Sequence, residues 1–415
     1  MRHVDLVIIG GGSAGMAAAI EAKHQGIDDI LILEKNNQLG GILDQCIHNG
    51  FGLTEFKEEL TGPEYASRFA KQVKELNIPY LLNTYVMEIT KDRHVLFASK
   101  DEGVEEIEAT AIVMATGCYE RNAGAIQLAG SRCAGVITAG AAQRYLNIHG
   151  YMCGKNIVIL GSGDIGLIMA RRLTLEGANV ICVCELMPYS NGLNRNIAQC
   201  LNDYNIPLYL STTIKEVIGK KRLEKVVLTK VDEKLRPIEG SEQEIKCDTL
   251  ILSVGLIPYI SLLENIDCPI SSTKGAIVNE DMETGIPGIF SCGNCLHVHD
   301  VVDFVTDEGR SAGIGASKYI KGLSSKGSYI KVIPSDNVSY VVPQNIHKDT
   351  SDDVTLKFRV RTPIKNAVIE IVSGDKVIYR MNKIACIPSE MNLIKISNSK
   401  LANLENDICV KVNGR

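Results

Sequence analysis

The sequence has no long apolar run and no strong excess of charge of one sign. A transmembrane helix needs about 18 or more consecutive apolar residues, and no segment approaches that length. A net charge of −5 and a pI near 6.0 give the chain no general attraction for the phosphates of nucleic acid. The first residues lead directly into an apolar strand pattern rather than into a basic and then apolar leader. A membrane span, a nucleic-acid partner and a secretory signal are therefore not expected.

The thirteen cysteines give no sign of a disulfide framework, because their number is odd and they are scattered through strand-like segments. Such cysteines indicate free thiols in a reducing compartment. We therefore expect a soluble, cytoplasmic protein. A chain of 415 residues is long enough for two or three domains with ample cores.

What the sequence does contain is one phosphate-binding glycine signature in two copies. The copies are Gly10-Gly11-Gly12-Ser13-Ala14-Gly15, after the apolar run Val4–Ile9, and Gly161-Ser162-Gly163-Asp164-Ile165-Gly166, after Ile157–Leu160. In such a strand–turn–helix unit the first glycine makes the tight turn and the second lets the backbone approach a pyrophosphate. The third lets the helix pack closely on the strand. The pyrophosphate rests on the helix N-terminus, so each copy predicts one bound dinucleotide.

Each signature is followed at the same distance by a glutamate that ends a second apolar run. These glutamates are Glu34, after Ile30–Leu33, and Glu185, after Val180–Cys184. An acid at this place accepts hydrogen bonds from a ribose diol. Two dinucleotides in one chain indicate a flavoprotein that exchanges electrons with a nicotinamide.

A further repeat supports a duplication. An apolar strand pattern that ends in a small-residue turn follows the first signature at Ile112–Gly117 and the second at Leu250–Gly255. Each unit is therefore predicted to place a second close-approach turn over its nucleotide. In the first unit this turn is Ala115-Thr116-Gly117, and in the second it ends at Gly255.

The remaining patterns predict how the chain is divided. Pro63–Asn77 has helical spacing, Tyr80–Ala98 alternates like strands, and Ile214–Ile245 indicates antiparallel strands. We predict an α/β fold with two Rossmann-like, three-layer dinucleotide-binding domains, the second inserted into the first, and a small C-terminal all-β sandwich. The predicted boundaries are 1–118 with 249–329 for the first domain, 119–248 for the second, and 330–415 for the sandwich.

The segment after residue 300 holds the last predicted helix and then only strands. The helix should run from about Val301 to Lys321, with Asp300 as its N-cap and Asp303 as an acid in its first turn. Short strands of period two follow, and no helix is evident among them: Val338–Val342, Val354–Val360, Ala367–Val372 and Lys376–Met381.

Together with the Pro287–Asn294 segment, these motifs resemble the two-dinucleotide-fold flavoproteins over about residues 1–325. That family includes the disulfide reductases, thioredoxin reductase and NADH oxidases. The resemblance implies FAD on the first unit and NAD(P)H on the second. The segments Thr138–Gln143 and Ala115–Arg121 resemble a narrower branch, the FAD/NAD subunits of multicomponent dehydrogenases such as opine oxidases and hydrogen cyanide synthase. In many anaerobic bacteria similar chains are encoded beside a glycerol-3-phosphate dehydrogenase-like flavoprotein.

The resemblance assigns cofactor contacts to particular positions. For FAD these are Gly10, Gly12, Ser13, Ala14, Gly15, Glu34, Lys35, Gly41, Ile42, Val86, Ala115, Thr116, Gly117, Gly293, Asn294 and Val302. For the nicotinamide dinucleotide they are Gly161, Ser162, Gly163, Asp164, Ile165, Gly166, Glu185 and Gly255. Asn294 stands where the family usually has an aspartate. Because Glu185 would repel a 2′-phosphate and the nearest downstream arginine is Arg195, we predict NAD(H) in preference to NADP(H).

One departure from the family concerns redox-active cysteines. Disulfide reductases carry a cysteine pair after a Gly-Gly, but here the corresponding places after Gly40-Gly41 hold Leu43 and His48, with only Cys46 between them. The C-x-x-C that thioredoxin reductase has in its nicotinamide domain is absent from 119–248. We therefore do not expect a dithiol relay of either type.

The run Cys292-x-x-Cys295-x-His297-x-His299 leaves three alternatives open. Two thiols and two imidazoles could hold a tetrahedral metal, or the two thiols could form a redox-active pair. The third alternative, thiols packed beside the flavin, is the one we predict, and we assign no metal. His48, His297 and His299 are candidate proton donors or bases, the alternative being hydrogen bonds to the flavin or to backbone.

These features predict an FAD-dependent, NAD(H)-linked oxidoreductase that exchanges hydride between nicotinamide and flavin N5. Since no substrate domain is visible, we expect electron exchange with a substrate-oxidising partner subunit, of the glycerol-3-phosphate or the amino-acid or opine dehydrogenase kind. The alternative is a stand-alone NADH-dependent reductase of oxygen, a quinone, or a disulfide through Cys292 and Cys295. The C-terminal region, which has no catalytic motif, is predicted to contact a partner or another copy of the chain.

Overall fold

The computed structural model describes residues 2–100, 103–402 and 404–415, which form two compact units. The first unit comprises 1–118 and 258–415, and the second comprises 119–257. Among the described residues no helix is both long and apolar enough to cross a membrane.

The first part of the chain builds one side of a mixed sheet. This part of the chain contains the strands β1 (Arg2–Ile9), β2 (Ile30–Leu33), β3 (Asn49–Phe51), β4 (Leu60–Thr61), β5 (Tyr80–Leu81), β6 (Thr84–Ile89), β7 (His94–Ser99) and β8 (Gly103–Met114) and the helices α1 (Ser13–His24) and α2 (Gly62–Glu75). Strands β3 and β4 pair only with each other, and the other six lie in the mixed sheet. The order β5-β2-β1-β8-β7-β6 is parallel from β5 to β8 and antiparallel beyond it. The predicted helix at 63–77 is confirmed. It begins at a capping box, because the Thr61 and Glu64 side chains each accept the other's backbone N–H.

The inserted part builds a second parallel sheet. Its elements are β9 (Cys118–Glu120), β10 (Val136–Thr138), α3 (Ala139–Asn147), β11 (Asn156–Leu160), α4 (Asp164–Leu175), β12 (Asn179–Cys184), α5 (Asn194–Cys200), β13 (Leu208–Tyr209), β14 (Thr212–Gly219), β15 (Leu223–Lys230), β16 (Gln243–Lys246), β17 (Thr249–Leu252) and β18 (Leu256–Pro258). The parallel order is β10-β17-β11-β12-β13, and β14, β15 and β16 form a separate antiparallel sheet, as predicted.

This second unit has three layers. On β11, Ile157 and Ile159 pack into the core beneath the helices, whereas Val158 and Leu160 pack into the core shared with the antiparallel sheet. The boundary predicted at residue 248 is wrong, because β17 lies inside this unit's sheet, between β10 and β11, and hydrogen-bonds to both.

The chain then returns to the first sheet. This segment contains α6 (Ser261–Glu264), β19 (Ile289–Ser291) and α7 (Val302–Ile320). Strand β19 pairs with β8 in parallel, and α7 lies along α1. The two helices approach closely at glycines: a Cβ at Gly309 would lie 2.3 Å from the carbonyl oxygen of Ala14, and one at Gly313 would lie 2.4 Å from that of Ala18.

The C-terminal region is built almost entirely of strands. They are β20 (Tyr329–Pro334), β21 (Val338–Val342), β22 (Asn345–His347), β23 (Val354–Val360), β24 (Ile364–Ser373), β25 (Lys376–Cys386), β26 (Asn392–Ile396) and β27 (Ile408–Gly414), with a one-turn helix, α8 (Asn398–Leu401), that was not predicted. Two sheets, β22-β20-β27-β24-β25 and β21-β23-β26, enclose one hydrophobic core. These strands belong to the first compact unit, and their separation as an independent domain stays a prediction.

Candidate nucleotide-binding and flavin site

The first glycine signature forms the turn between β1 and α1. Gly10 has φ +107°, and a Cβ there would lie 2.4 Å from the carbonyl oxygen of Ala115, so the turns after β1 and β8 are in direct contact. Helix α1 begins with Gly12 as its N-cap, without a side-chain cap and without an acidic residue in its first turn. Its first N–H groups and positive dipole end are therefore available to an anion.

Glu34 ends β2 and holds this turn in place. The residue is only 3% exposed, and its Oε2 accepts a hydrogen bond from the backbone N–H of Gly11 at 2.6 Å. Its Oε1 accepts the N–H of Asn36 at 2.8 Å. The acid predicted to meet a ribose is thus already a structural partner of the glycine turn.

The second signature repeats this arrangement. A Cβ at Gly161 would lie 2.1 Å from the carbonyl oxygen of Ser253, in the turn after β17. Glu185 Oε2 accepts hydrogen bonds from the N–H and the hydroxyl of Ser162 at 2.9 and 2.6 Å, and its Oε1 accepts the N–H of Met187 at 2.9 Å. The two glutamates therefore perform the same structural role in the two units.

A cavity of about 720 Å³ opens beside the second signature. Its lining includes Arg121, Gly161, Gly163, Glu185, Ser253 and Gly255. This volume lies in the range of small-molecule sites, and the lining combines the turn, the acid and the close-approach segment that a dinucleotide requires. Asp164, which was also predicted to contact the dinucleotide, makes hydrogen bonds within the protein. Its Oδ1 accepts the N–H of Leu193 at 2.8 Å and the side-chain amide of Asn196 at 2.6 Å.

The residues predicted to contact FAD fall at the carboxyl ends of the strands of the first sheet. They lie after β1 (Gly10, Gly12, Ser13, Ala14, Gly15), after β2 (Glu34, Lys35, Gly41, Ile42), after β8 (Ala115, Thr116, Gly117), after β19 (Gly293, Asn294) and at the start of α7 (Val302), while Val86 lies within β6. Several of these segments meet: a Cβ at Gly41 would lie 3.1 Å from Gly12 Cα, and one at Gly293 would lie 2.9 Å from Ala14 Cβ. This clustering leaves open space above Gly12, where an added Cβ would find no atom within 4 Å.

The predicted cysteine–histidine run does not assemble into one cluster. Cys292 and Cys295 are fully buried, and their thiols lie 3.9 and 3.1 Å from the carbonyl oxygen of Met114. Burial raises the pKa of both thiols, so they are protonated packing groups at the ends of β8 and β19. The two histidines bind a different partner, Glu308.

Glu308, on α7, is the centre of a buried group of titratable side chains that we call the Glu308 cluster: Glu308, His297, His299 and Lys357. Its Oε2 lies 2.8 Å from His297 Nε2, 3.5 Å from His299 Nε2 and 2.6 Å from Lys357 Nζ. Its Oε1 accepts the backbone N–H of Gly293 at 2.8 Å. The cluster therefore touches the turn after β19 directly.

The ionisation states in the cluster follow from burial and from Lys357. Burial by itself acts to raise the pKa of Glu308, but the Lys357 ammonium, together with the hydrogen bond from His297, outweighs it and holds that pKa well below the ordinary range. Burial also lowers the pKa of His297 to about 4, so His297 is neutral. Its single proton is on Nε2, which donates to Glu308, and its Nδ1 faces the Tyr340 hydroxyl at 3.5 Å.

His299 has the opposite arrangement. Both its backbone N–H and its Nδ1 lie within hydrogen-bond distance of Asn294 Oδ1, at 3.0 and 3.2 Å, which places the proton on Nδ1. Its Nε2 is buried and has no hydrogen-bond partner within the described ranges. This Nε2 lies beside the Glu308 carboxylate, 3.5 Å from its Oε2.

Imidazole and carboxylate atoms of His297, His299 and Glu308 lie within 4.8 Å of one another, close enough to raise the question of a metal. Lys357 Nζ already supplies a positive charge to the same Glu308 oxygen at 2.6 Å. The Glu308 oxygen that faces the two histidines is therefore already paired with an ammonium group.

The other predicted side chains have separate surroundings. The His48 ring lies 5.0 Å from that of Phe51, near β3. Cys46 donates to the carbonyl oxygen of Ile42, and burial raises the pKa of its thiol to about 12. Lys35 Nζ lies 5.7 Å from the centre of the Tyr259 ring.

The prediction of Asp300 as the N-cap of α7 is wrong, whereas Asp303 does lie in the first turn, as predicted. The helix begins at Val302, and its N-cap, Val301, makes no side-chain cap. Asp300 instead pairs with Arg359 at 3.1 Å, and Asp303 accepts the N–H of Thr54 at 2.8 Å. Both carboxylates bind tertiary partners, so neither caps α7, although Asp303 lies in its first turn.

Sequence reasoning missed Glu308, Lys357 and Tyr340. One weak indication of Glu308 was present in the sequence. It is a charged residue among the small residues Thr306, Gly309 and Ala312 of α7, and these are buried in the structure. Lys357 gave none, since it occupies the polar face of an alternating strand.

The comparisons with known proteins agree with this architecture. The chain is 28% identical to an NADH oxidase of Methanocaldococcus jannaschii over 344 residues, covering 77% of this chain and 70% of the relative. It is 25% identical to an opine oxidase subunit of Agrobacterium tumefaciens over 346 residues, covering 78% of this chain and 67% of the relative. The structure of T. acidophilum thioredoxin reductase shares the fold, with a TM-score of 0.64 at 23% identity, over 78% of this chain and 100% of that one.

The match to a family extends over most of the chain. Residues 4–312 match the pyridine nucleotide-disulphide oxidoreductase family, whose members bind FAD and a pyridine nucleotide. The matched range includes both glycine signatures, both glutamates and the turn after β19. The chain therefore belongs to this family, and it is an FAD-dependent NAD(P)H oxidoreductase.

Proposed function

We propose that this oxidoreductase exchanges hydride between NAD(H) and the N5 atom of FAD, and exchanges electrons with a partner dehydrogenase subunit. The partner would oxidise an opine, an amino acid or glycerol 3-phosphate. The observation that carries the proposal is the duplicated turn. Each of two glycine signatures is held by a buried glutamate beside an uncapped helix N-terminus, Glu34 at Gly11 and Glu185 at Ser162.

The first unit is proposed to hold FAD. The N-terminus of α1 at Gly12 would take the pyrophosphate, and Glu34 would meet the adenosine ribose. Gly293 and Asn294, which contact α1 and His299 respectively, would border the ribityl and ring portions. Bound flavin supplies the hydride acceptor, while the chain supplies position and electrostatic field.

The second unit is proposed to hold NAD(H) in preference to NADP(H). The buried carboxylate of Glu185 lines the cavity and already carries three hydrogen bonds from the protein. A 2′-phosphate placed against it would meet like charge, whereas a ribose hydroxyl can donate to it.

His299 is proposed as the acid–base group of the flavin site. Within the part of the chain that the structure describes, its Nε2 is the one imidazole nitrogen of the Glu308 cluster without a hydrogen bond. It lies 3.5 Å from the Glu308 carboxylate. His297, whose Nε2–H is committed to Glu308, is proposed to position the carboxylate.

The packing of Cys292 and Cys295 supports electron exchange with a partner in preference to a thiol relay. A thiolate must form before a disulfide can be exchanged, and burial raises the pKa of both groups. The similarity to the opine oxidase subunit, by its name one component of a larger enzyme, supports the same view. We further propose that 330–415 takes part in contacts with the partner.

A second candidate is a stand-alone NADH-dependent reductase of a small acceptor. The similarity to an NADH oxidase favours it. Rapid, sustained NADH consumption by the isolated chain in air, with no partner present, would support this candidate. A purified chain that is reduced once by NADH and then turns over slowly in air would support the partner-dependent function.

The test of the main proposal is an anaerobic NADH titration of the purified protein, followed in the flavin absorption band, with two matched variants. Gly12 and Gly163 both have negative φ, −76° and −64°, and a Cβ would meet nothing within 4 Å at Gly12 and only Ser253, at 3.6 Å, at Gly163. G12A and G163A should therefore fold, while their methyl groups occupy the space proposed for each pyrophosphate.

We expect the wild-type protein to be yellow and to bleach with one NADH per flavin. G12A should be folded but colourless, and G163A should be yellow but require at least about tenfold more NADH. Consumption of two NADH per flavin would instead indicate that Cys292 and Cys295 cycle. A folded wild-type protein that binds no FAD would contradict the proposal.

A further inference from the structure

The C-terminal strands reach the flavin site through the face of β23 that points away from their own core. Val354, Leu356, Phe358 and Val360 pack into the C-terminal core. The side chain of Lys357, on the other face, is 7% exposed and lies against Glu308 of α7. Arg359 on the same face donates to Asp300 and to the carbonyl oxygen of Val298, both on the segment that follows the turn after β19.

We propose that Lys357 is a positioning residue of the flavin site, which makes the C-terminal strands part of that site. Its ammonium is the counter-ion of Glu308, and Glu308 holds the N–H of Gly293 and the Nε2–H of His297. This inference rests on the proposed function, because it assigns Lys357 a role toward FAD.

The chain of contacts from Lys357 to the glycine signature is short. Glu308 uses Oε2 for Lys357 and Oε1 for Gly293, so the position of the carboxylate fixes the direction of the Gly293 N–H. Gly293 in turn packs against Ala14, within the first signature. A shift of the Glu308 carboxylate would therefore move the turn after β19 relative to the start of α1.

Removal of Lys357 would change the charge of the cluster and not only its packing. Glu308 would then face His297, His299 and the Gly293 N–H without a cation, because the neighbouring Arg359 contacts Tyr340 and Asp300 instead. A buried, unpaired carboxylate is strongly disfavoured, so a proton should be drawn to His297 or to Glu308 itself. Either change disturbs the hydrogen bonds that orient Gly293.

The variants K357M, E308Q and E308Q/K357M test this role, with K318M as the matched control. Lys318 also lies on α7 and pairs at 2.6 Å each with Asp281, before β19, and with Asp352, just before β23, but it lies ten residues beyond Glu308. That separation corresponds to about 15 Å along the helix. Two readouts are needed: the dissociation constant of FAD from the deflavinated protein, and the titration of His297 by NMR with labelled histidine.

We expect K357M to bind FAD about tenfold more weakly, the scale of one lost charge-assisted hydrogen bond. The pKa of His297 should rise by about one pH unit or more, because Lys357 lowers it in the wild type and Glu308 would act on it unopposed. Adding E308Q to K357M should remove both effects, since no unpaired charge remains. K318M should match the wild type in both readouts.

Several results would overturn the inference. They are a folded K357M with wild-type FAD affinity and wild-type His297 titration, a K357M defect that E308Q does not suppress, and a K318M defect equal to that of K357M. If K357M does not fold, E308Q takes its place, and it should bind FAD more weakly than E308Q/K357M. If the wild-type protein binds no FAD, the proposed function fails, whereas the His297 titration still shows whether Lys357 controls the cluster.

Discussion

The two nucleotide-binding units share a turn and differ in what lies behind it. In both, a glycine at the end of a strand contacts a carbonyl oxygen of a neighbouring turn, and a buried glutamate accepts the next residue's N–H. Behind the first turn lies the Glu308 cluster, with four titratable side chains excluded from water. Beside the second turn lies an open cavity. The turn is thus a local device, whereas the charged cluster depends on segments that are distant in sequence.

The largest expected effect concerns the third glycine of each signature. A Cβ at Gly15 would lie 1.9 Å from the carbonyl oxygen of Gly10, while one at Gly166 would lie 2.7 Å from Ser253 Cβ. We expect G15A to lower the free energy of unfolding by about 5 kcal/mol and to abolish FAD binding. G166A should cost less, about 2 kcal/mol, since its overlaps with Ser253 Cβ and with the carbonyl oxygen of Gly161, at 2.7 and 2.8 Å, are smaller. Chemical denaturation of both variants measures the difference, and equal losses would contradict the close packing inferred for the first unit.

The next prediction compares Glu308, which forms a buried ion pair, with Glu185, a buried acid that only accepts hydrogen bonds. E308A leaves Lys357 buried without a carboxylate and should lower the free energy of unfolding by about 3 to 5 kcal/mol. E185A leaves the N–H groups of Ser162 and Met187 without their acceptor but beside a cavity that admits water, and should cost about 1 to 3 kcal/mol. Urea unfolding of the two variants under the same conditions makes the comparison. If E185A lowers the free energy of unfolding more than E308A does, the buried ion pair of the Glu308 cluster does not stabilise the protein more than the hydrogen bonds of Glu185.

The free energy of unfolding should depend on pH through His297, which lies in the first unit. His297 has a folded pKa of about 4, below the value of about 6.5 expected when it is unfolded, so the unfolded state binds more protons between these values. The contribution of His297 is complete above about pH 6.5 and is lost as the pH falls to about 4, by on the order of 3 kcal/mol.

H297Q keeps a donor toward Glu308 and should remove this loss between about pH 6.5 and 4.5. Below about pH 4.5 protonation of Glu308, whose folded pKa is also lowered, adds a further loss. H149Q, which alters a histidine of the second unit, is the control and should keep the wild-type profile. An unchanged profile in H297Q would show that His297 is not the titrating group.

The smallest expected effect concerns the choice of nicotinamide cofactor. E185S removes the carboxylate but can leave a hydrogen-bonding group at the end of β12. The preference for NADH over NADPH should fall by about tenfold, roughly 1.4 kcal/mol, in the reduction of the flavin. E34S, in the first unit, should leave this preference unchanged and weaken FAD binding instead. A change of preference in E34S, or none in E185S, would contradict the assignment of the two units.

The sequence by itself determined the parts whose causes are local. The glycine signatures, the strands before them, Glu34 and Glu185 were predicted residue by residue, because a turn against a backbone carbonyl excludes side chains at fixed positions. The antiparallel strands within 214–245 were predicted from their alternation, and helix α2 from its helical spacing.

Only the tertiary structure decided the positions that depend on distant partners. Asp300 and Asp303 have the spacing of helix caps, yet Arg359 and Thr54 use them, and β17 joins the second sheet across the boundary predicted at 248. Lys357 and Arg359 lie on the face of β23 that alternation predicts to face solvent. A two-residue period tells which side chains avoid the strand's own core, but not whether water or another segment covers the opposite face. Because α7 covers it here, Lys357 becomes the buried counter-ion of Glu308.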